Sequence, residues 1–301
     1  MNSLTHFKKI RILPLRTLLS LGAIFALVTA AHAQNLYVST QHDEAIFEYT
    51  PSGVQSTYAS RLSFPRGLAF DSLGNLFAAE TLAPADDVEV GKVLKFNLRN
   101  KATTLGSAAR FFFEGLAIDI AGNAYVMGID LNSPTFASTI FKFTPDGERI
   151  VFGSVPSGGS GVAFDSAGNL FAADADDQTI YKFAPDGTRT VFAGPSAFGD
   201  SAPSGLAFDS AGNLFVSTES DEPVGNDTIL EFTPIGAEST FATGLSTPRG
   251  LAFDSSGNLF VVEHLHIPDG DILKFPPGGG PPTAFATGLG SPEFLTFGPP
   301  R

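Results

Sequence analysis

"SGLAFDSAGNLFVSTES" occupies residues 204–220, and nearly the same phrase stands at three other places. "RGLAFDSLGNLFAAE" begins at Arg66, "SGVAFDSAGNLFAAD" at Ser160 and "RGLAFDSSGNLFVVE" at Arg249. A degraded copy, "GLAIDIAGNAYVM", opens at Gly115. The glycines that start the copies, Gly67, Gly115, Gly161, Gly205 and Gly250, are 48, 46, 44 and 45 residues apart. Such a period marks a stacked or circular array of one supersecondary unit. The phrase carries no nucleophile elbow and no metal-ligand spacing, so its recurrence points to scaffold rather than chemistry.

Each period divides into four short strand candidates. The first is the "GLAF" run, closed by Asp, and the Ser-x-Gly-Asn stretch after it suits a tight hairpin. The second is "NLFVV" or a variant. The third is written "TIFKFTPDG" at 139 and "TILEFTPIG" at 228, with a Pro-x-Gly turn; the fourth is written "TVFAGP" at 190 and "STFATG" at 239. Aromatic and β-branched residues dominate, and no long 3.6-residue periodicity follows residue 33, so the fold is all-β. Four-stranded units of this length in series predict a β-propeller.

The two ends of the repeat region set the number of blades. "QNLYVST" at 34–40 reads as a second strand with no first strand before it, and "SPEFLTFG" at 291–298 as a first strand with nothing after it. Joined, they complete a composite blade and close a six-bladed ring. The 268 residues from 34 to 301 divide into six blades of about 45, as the period requires.

Residues 1–33 are a separate object. Lys8, Lys9, Arg11 and Arg16 precede an apolar run, Leu18 to Ala30, and then Ala31-His32-Ala33, in the order of a secretory signal cleaved before Gln34. An exported protein, periplasmic or extracellular, is therefore expected, with residues 34–301 as its propeller domain. Without residues 1–33 there remain 14 Lys and Arg against 31 Asp and Glu, a net charge of −17. That acidity disfavours a nucleic-acid partner. With no cysteine in the chain, disulfides, a lipoprotein anchor and thiolate chemistry are excluded. No second apolar run predicts a membrane span after the signal, and a monomer is expected.

The copies disagree where the innermost strands should line the axial channel. The residues before the first-strand glycines, or their equivalent, run Glu293, Arg66, Glu114, Ser160, Ser204 and Arg249 around the ring. Those five after the turn Asn run Thr40, Glu80, Gly128, Asp174, Thr218 and Glu263. Arg66, Glu80, Glu114, Asp174, Arg249, Glu263 and Glu293 are thus the candidate ligand-binding side chains of the channel face. Arg66 with Glu80 and Arg249 with Glu263 read as ion pairs across one hairpin. Glu80, Asp174 and Glu263, in alternate blades, read either as structural acids or as an axial Ca²⁺ site. A second candidate metal site gathers His42, Glu263, His264 and His266, because ring closure makes the loops after the second strands of the last and composite blades neighbours; Zn²⁺ or Mn²⁺ would suit it.

"PSGLAFDSAGNLFVSTES…TILEFTPIG" resembles an NHL repeat, and the resemblance covers essentially all of 34–298. It implies the six-bladed, TolB-like superfamily, which includes the gluconolactonase/senescence-marker family and streptogramin B lyase. Gluconolactonase-type propellers would imply a divalent ion held by Glu, Asn and Asp, whereas no Asn stands at the channel positions named above. Streptogramin B lyase would imply a Glu and a His with Mg²⁺, for which Glu263 with His264 or His266 is the local echo. Two functions follow as expectations: a module that binds a protein, peptide, carbohydrate or small molecule through its channel face, or a divalent-metal-dependent hydrolase or lyase. Fold alone does not choose between them.

Overall fold

The computed structural model describes residues 34–83, 88–220, 225–264 and 270–300. The expected signal, residues 1–33, and His266 lie outside the described residues. Among the described residues no helix is long and apolar enough to cross a membrane. The chain forms six antiparallel sheets of four strands. The composite blade is ordered β24 (Pro292–Phe297), β1 (Leu36–Thr40), β2 (Ala45–Tyr49) and β3 (Gln55–Ser60). The second to sixth blades span 68–109, 111–155, 159–193, 202–245 and 248–289. Both ends of the repeat region therefore meet in one sheet, with Leu36 opposite Phe297 and Val38 opposite Leu295.

The repeated phrase accounts for both the hairpins and the packing between blades. In each hairpin the Asp carboxylate accepts from the backbone two and four residues on; Asp209 takes Ala211 N at 2.9 Å and Asn213 N at 2.8 Å. The Asn side chain donates back to the same carboxylate, and the Gly between them, at φ +86° in Gly212, supplies the positive φ. Outward from the axis, at five of the six blade junctions the aromatic ring of the second strand meets the inner-strand phenylalanine of the next blade edge to face; at the sixth, Phe77 has Ile118 in that place. Tyr37–Phe70, Tyr125–Phe164, Phe171–Phe208, Phe215–Phe253 and Phe260–Phe297 all lie with ring centroids 4.9–5.0 Å apart. That is a favoured aromatic geometry, and it repeats with the sequence.

The inner strands are β4 (Leu68–Phe70), β8 (Phe111–Ile118), β12 (Gly159–Phe164), β16 (Ala202–Phe208), β20 (Pro248–Phe253) and β24. Five of them break register with the second strand at one place, as between Pro248 and Leu251 or Phe113 and Leu116. In four of them the two residues inside the break are the channel residue and its glycine; in β24 they are Glu293 and Phe294. A bulge of this kind re-aims a side chain, here toward the axis.

Candidate functional site: a charged cup on the channel axis

At the face that carries the loops from second to third strands, a cavity of about 240 Å³ opens on the axis. Arg66, Glu114, Ser160, Ser204 and Arg249 line it; Glu114, Ser160, Ser204 and Arg249 stand at the inner-strand bulges, and Arg66 just before β4. Its two sides differ. One is charged; the other is made of Gly158, Gly159, Ala175, Ala202, Pro203 and the two serines, and the room exists because these side chains are small.

The charged side is one network spanning several blades. Glu293, wholly buried, receives Arg249 Nη1 at 2.7 Å and lies 3.4 Å from Arg66 Nη1. Arg66 donates to Glu114 at 2.7 Å and stacks its guanidinium over the Phe112 ring at 4.9 Å. Arg249 Nε lies 3.1 Å from Glu219 Oε1. The expected pairs Arg66–Glu80 and Arg249–Glu263 within single hairpins are therefore corrected: both arginines pair across blades. Glu80 accepts Ser63 N at 3.2 Å and Glu263 accepts Ser246 N at 2.8 Å, each tying down the loop that enters its own inner strand. Asp174 does the same with Ser157 N at 3.1 Å and also takes Asp177 N at 3.0 Å. The three acids of the alternate-blade pattern are thus held by backbone amides.

The physical reason is an offset of one residue. Successive side chains of a strand face opposite ways, so the residue five after the turn Asn looks away from the cavity and the next one looks into it. That second row runs Gln41, Thr81, Ile129, Ala175, Glu219 and His264, of which Ile129, Ala175 and Glu219 line the cup. Sequence reasoning missed Glu219 altogether. Counting six rather than five residues from each turn Asn would have found it.

His264 sits beside the buried carboxylate. Its Nδ1 lies 3.0 Å from the Pro292 carbonyl oxygen and 3.6 Å from Glu293 Oε1. A carbonyl only accepts, so Nδ1 carries the proton and Nε2 is the free lone pair. Burial, reinforced by the Arg249 charge, pushes the His264 pKa below its ordinary value of 6.5, against the pull of Glu293, and keeps the ring neutral. Glu114 is pushed up by burial and by Glu293, against Arg66 and Arg249. Burial opposes the charge of Arg249 too, but Glu293, Glu219 and Glu114 outweigh it and hold the guanidinium firmly protonated. Glu293 Oε1 and the two arginine Nε atoms have no hydrogen-bond partner among the described residues.

Of the proposed metal ligands, Glu263 is engaged as above, and His264 turns Nδ1 to a backbone carbonyl. His42 is exposed in the loop that follows β1. Among the described residues no three His, Asp or Glu side chains are grouped so as to hold an ion. The donors present therefore do not fit a metal centre of His42, Glu263 and His264.

No family model and no curated protein sequence matches the chain. Solved structures do. The gluconolactonase XC5397 from Xanthomonas campestris is 19% identical, with a TM-score of 0.60 over 75% of this chain and 78% of that one. A streptogramin B lyase is 16% identical, with a TM-score of 0.60 over 89% of this chain and 88% of that one. A catalytically inactive variant of virginiamycin B lyase from Staphylococcus aureus, with alanine in place of one histidine and solved with quinupristin, is 14% identical, with a TM-score of 0.58 over 90% and 97%. The chain shares with these proteins the six-bladed propeller fold.

Proposed function

We propose that this is an exported binding module whose axial cup takes a small, electrically neutral ligand rich in hydrogen-bonding groups. Export is supported by the basic, apolar and Ala-x-Ala order of residues 1–33. The observation that carries the reading is the cross-blade network itself, in which Arg66 and Arg249 are already matched by Glu114, Glu219 and Glu293. An anion would have to displace those carboxylates, and a cation the guanidinium groups, at the cost of leaving a buried charge unpaired. A neutral ligand with donors and acceptors meets Ser160, Ser204 and the partly exposed edges of Arg249 and Glu219 without breaking a pair.

A second reading, a divalent-metal-dependent hydrolase or lyase, is favoured by one observation: the neutral His264 with its proton held on Nδ1 and its Nε2 unprotonated, the disposition of a general base. The inactive lyase variant solved with quinupristin is one that lacks a histidine.

One set of measurements separates the readings. Calorimetric titration with neutral polyols and amides, carboxylates and amines is run on the wild type and on Ala175→Leu, which fills the cup. Lactone hydrolysis is followed in parallel with and without Mg²⁺ or Mn²⁺. If the cup is a binding site, neutral compounds bind the wild type and not Ala175→Leu. Binding confined to charged compounds, or undiminished by the leucine, overturns the reading. Metal-stimulated turnover lost in His264→Ala would establish the second reading instead.

A further inference from the structure

Five of the six inner strands carry a glycine at the channel waist, and backbone contact explains why. A Cβ on Gly205 would fall on the Arg249 carbonyl oxygen; one on Gly115 would lie 2.7 Å from Ser160 O, and one on Gly250 2.7 Å from Phe294 Cα. No side chain fits between these strands. The register of β24 on β1 sets Phe294 at the sixth equivalent position, next to Glu293 as Gly250 is next to Arg249. The Phe294 backbone is held there by Ser39, whose hydroxyl accepts from Phe294 N at 3.1 Å and donates to Phe294 O at 3.2 Å.

Phe294 borders two cavities. Above it is the charged cup; below it is an axial cavity of about 360 Å³ whose lining includes no charged side chain. The phenylalanine thus stands in the waist between them, half-buried, as the floor of the cup. The cup therefore offers three kinds of surface at once: an aromatic floor, a wall of serine hydroxyls and small residues, and a wall of charge-balanced Arg and Glu.

We propose that the ligand of the cup is a saccharide ring, its C–H face against Phe294 and its hydroxyls on Ser160, Ser204, Glu219 and Arg249. The proposal rests on the reading that the cup binds a small neutral molecule. A wholly apolar ligand would strip water from the charged wall and return no hydrogen bonds. A small polar molecule without an apolar face would leave the aromatic floor uncovered. A pyranose has one face of C–H groups, which suits the negative face of an aromatic ring, and an edge of hydroxyls that both donate and accept.

The test is a proton NMR titration with methyl β-D-glucopyranoside, methyl β-D-galactopyranoside, methyl α-D-mannopyranoside and the neutral amide N-acetylglycinamide. Each is added to the wild type, Phe294→Leu and Phe294→Tyr, with thermal melts to confirm folding. The expected result is that at least one glycoside binds the wild type and Phe294→Tyr with its ring C–H protons shifted upfield. In Phe294→Leu the upfield shift disappears and affinity falls about three- to tenfold, the loss expected of one aromatic contact. A glycoside that binds Phe294→Leu as tightly and with the same shifts overturns the inference. If N-acetylglycinamide binds the cup and no glycoside does, the saccharide assignment fails while the neutral-ligand reading stands. If none of the four binds, both fail.

Discussion

At Glu114 burial works against the carboxylate charge while Arg66, 2.7 Å away, works for it, and burial wins. Its pKa is raised above the ordinary 4.5, so the folded protein takes up this proton more readily than the unfolded chain does. The stability this contributes is fully present below pH 4.5 and is lost as pH rises through the higher folded value. Glu114→Gln is neutral throughout and lacks that dependence, whereas the opposite dependence from His264, whose pKa is lowered, is common to both proteins. The melting temperature of the wild type should therefore gain on that of Glu114→Gln as pH falls from neutrality toward 4.5. A difference that stays constant across that range contradicts the assignment. The residue types at these positions were legible in the sequence, because Arg66, Glu114, Arg249 and Glu293 interrupt a repeated phrase. Their partners were not legible. Pairing across blades depends on which way each inner strand turns its channel side chain, and a period of 44–48 residues carries no record of that.

Among the inner strands the decisive contacts are between backbones. Gly205 faces the Arg249 carbonyl and the Ser217 hydroxyl, which itself bridges Gly205 N at 2.8 Å and Arg249 O at 2.8 Å. A methyl group there must push β16 away from β20 and stretch that bridge. Gly205→Ala should cost about 1–3 kcal/mol, the usual penalty for overpacking a close contact. Gly194, at φ −105° with nothing within 4 Å of its missing Cβ, is the control, and Gly194→Ala should change stability by less than about 0.5 kcal/mol. Urea unfolding midpoints check both; equal effects at the two sites would show that the waist is not close-packed. The strand-end acids teach the same lesson about elements. Glu80, Asp174 and Glu263 recur because a loop entering an inner strand needs an acceptor for its backbone N–H, and that need is met within each blade. The hairpin chemistry, Asp-x-x-Gly-Asn, could be read directly from the sequence; the one-residue offset that brings Glu219 to the axis could not, because strand ends are not marked in the phrase.

For the whole molecule, ring closure creates the site. Glu293 comes from the last strand, β24, yet it is the shared partner of Arg66 in the second blade and Arg249 in the sixth, with His264 alongside. The composite blade was legible from two half-phrases at 34–40 and 291–298, and the six-fold tally followed from the period. The metal centre proposed from three histidines includes His266, which lies outside the described residues. Everything assigned to the cup requires that charges from neighbouring blades be coupled through Glu293. A double-mutant cycle tests this directly: unfolding free energies of the wild type, Arg249→Met, Glu293→Gln and the double variant, with the parallel cycle Arg249→Met and Glu263→Gln. The cross-blade pair should show a coupling of about 1–3 kcal/mol and the same-hairpin pair less than about 0.5 kcal/mol. Additive effects for Arg249 and Glu293, or a larger coupling to Glu263, would contradict the account.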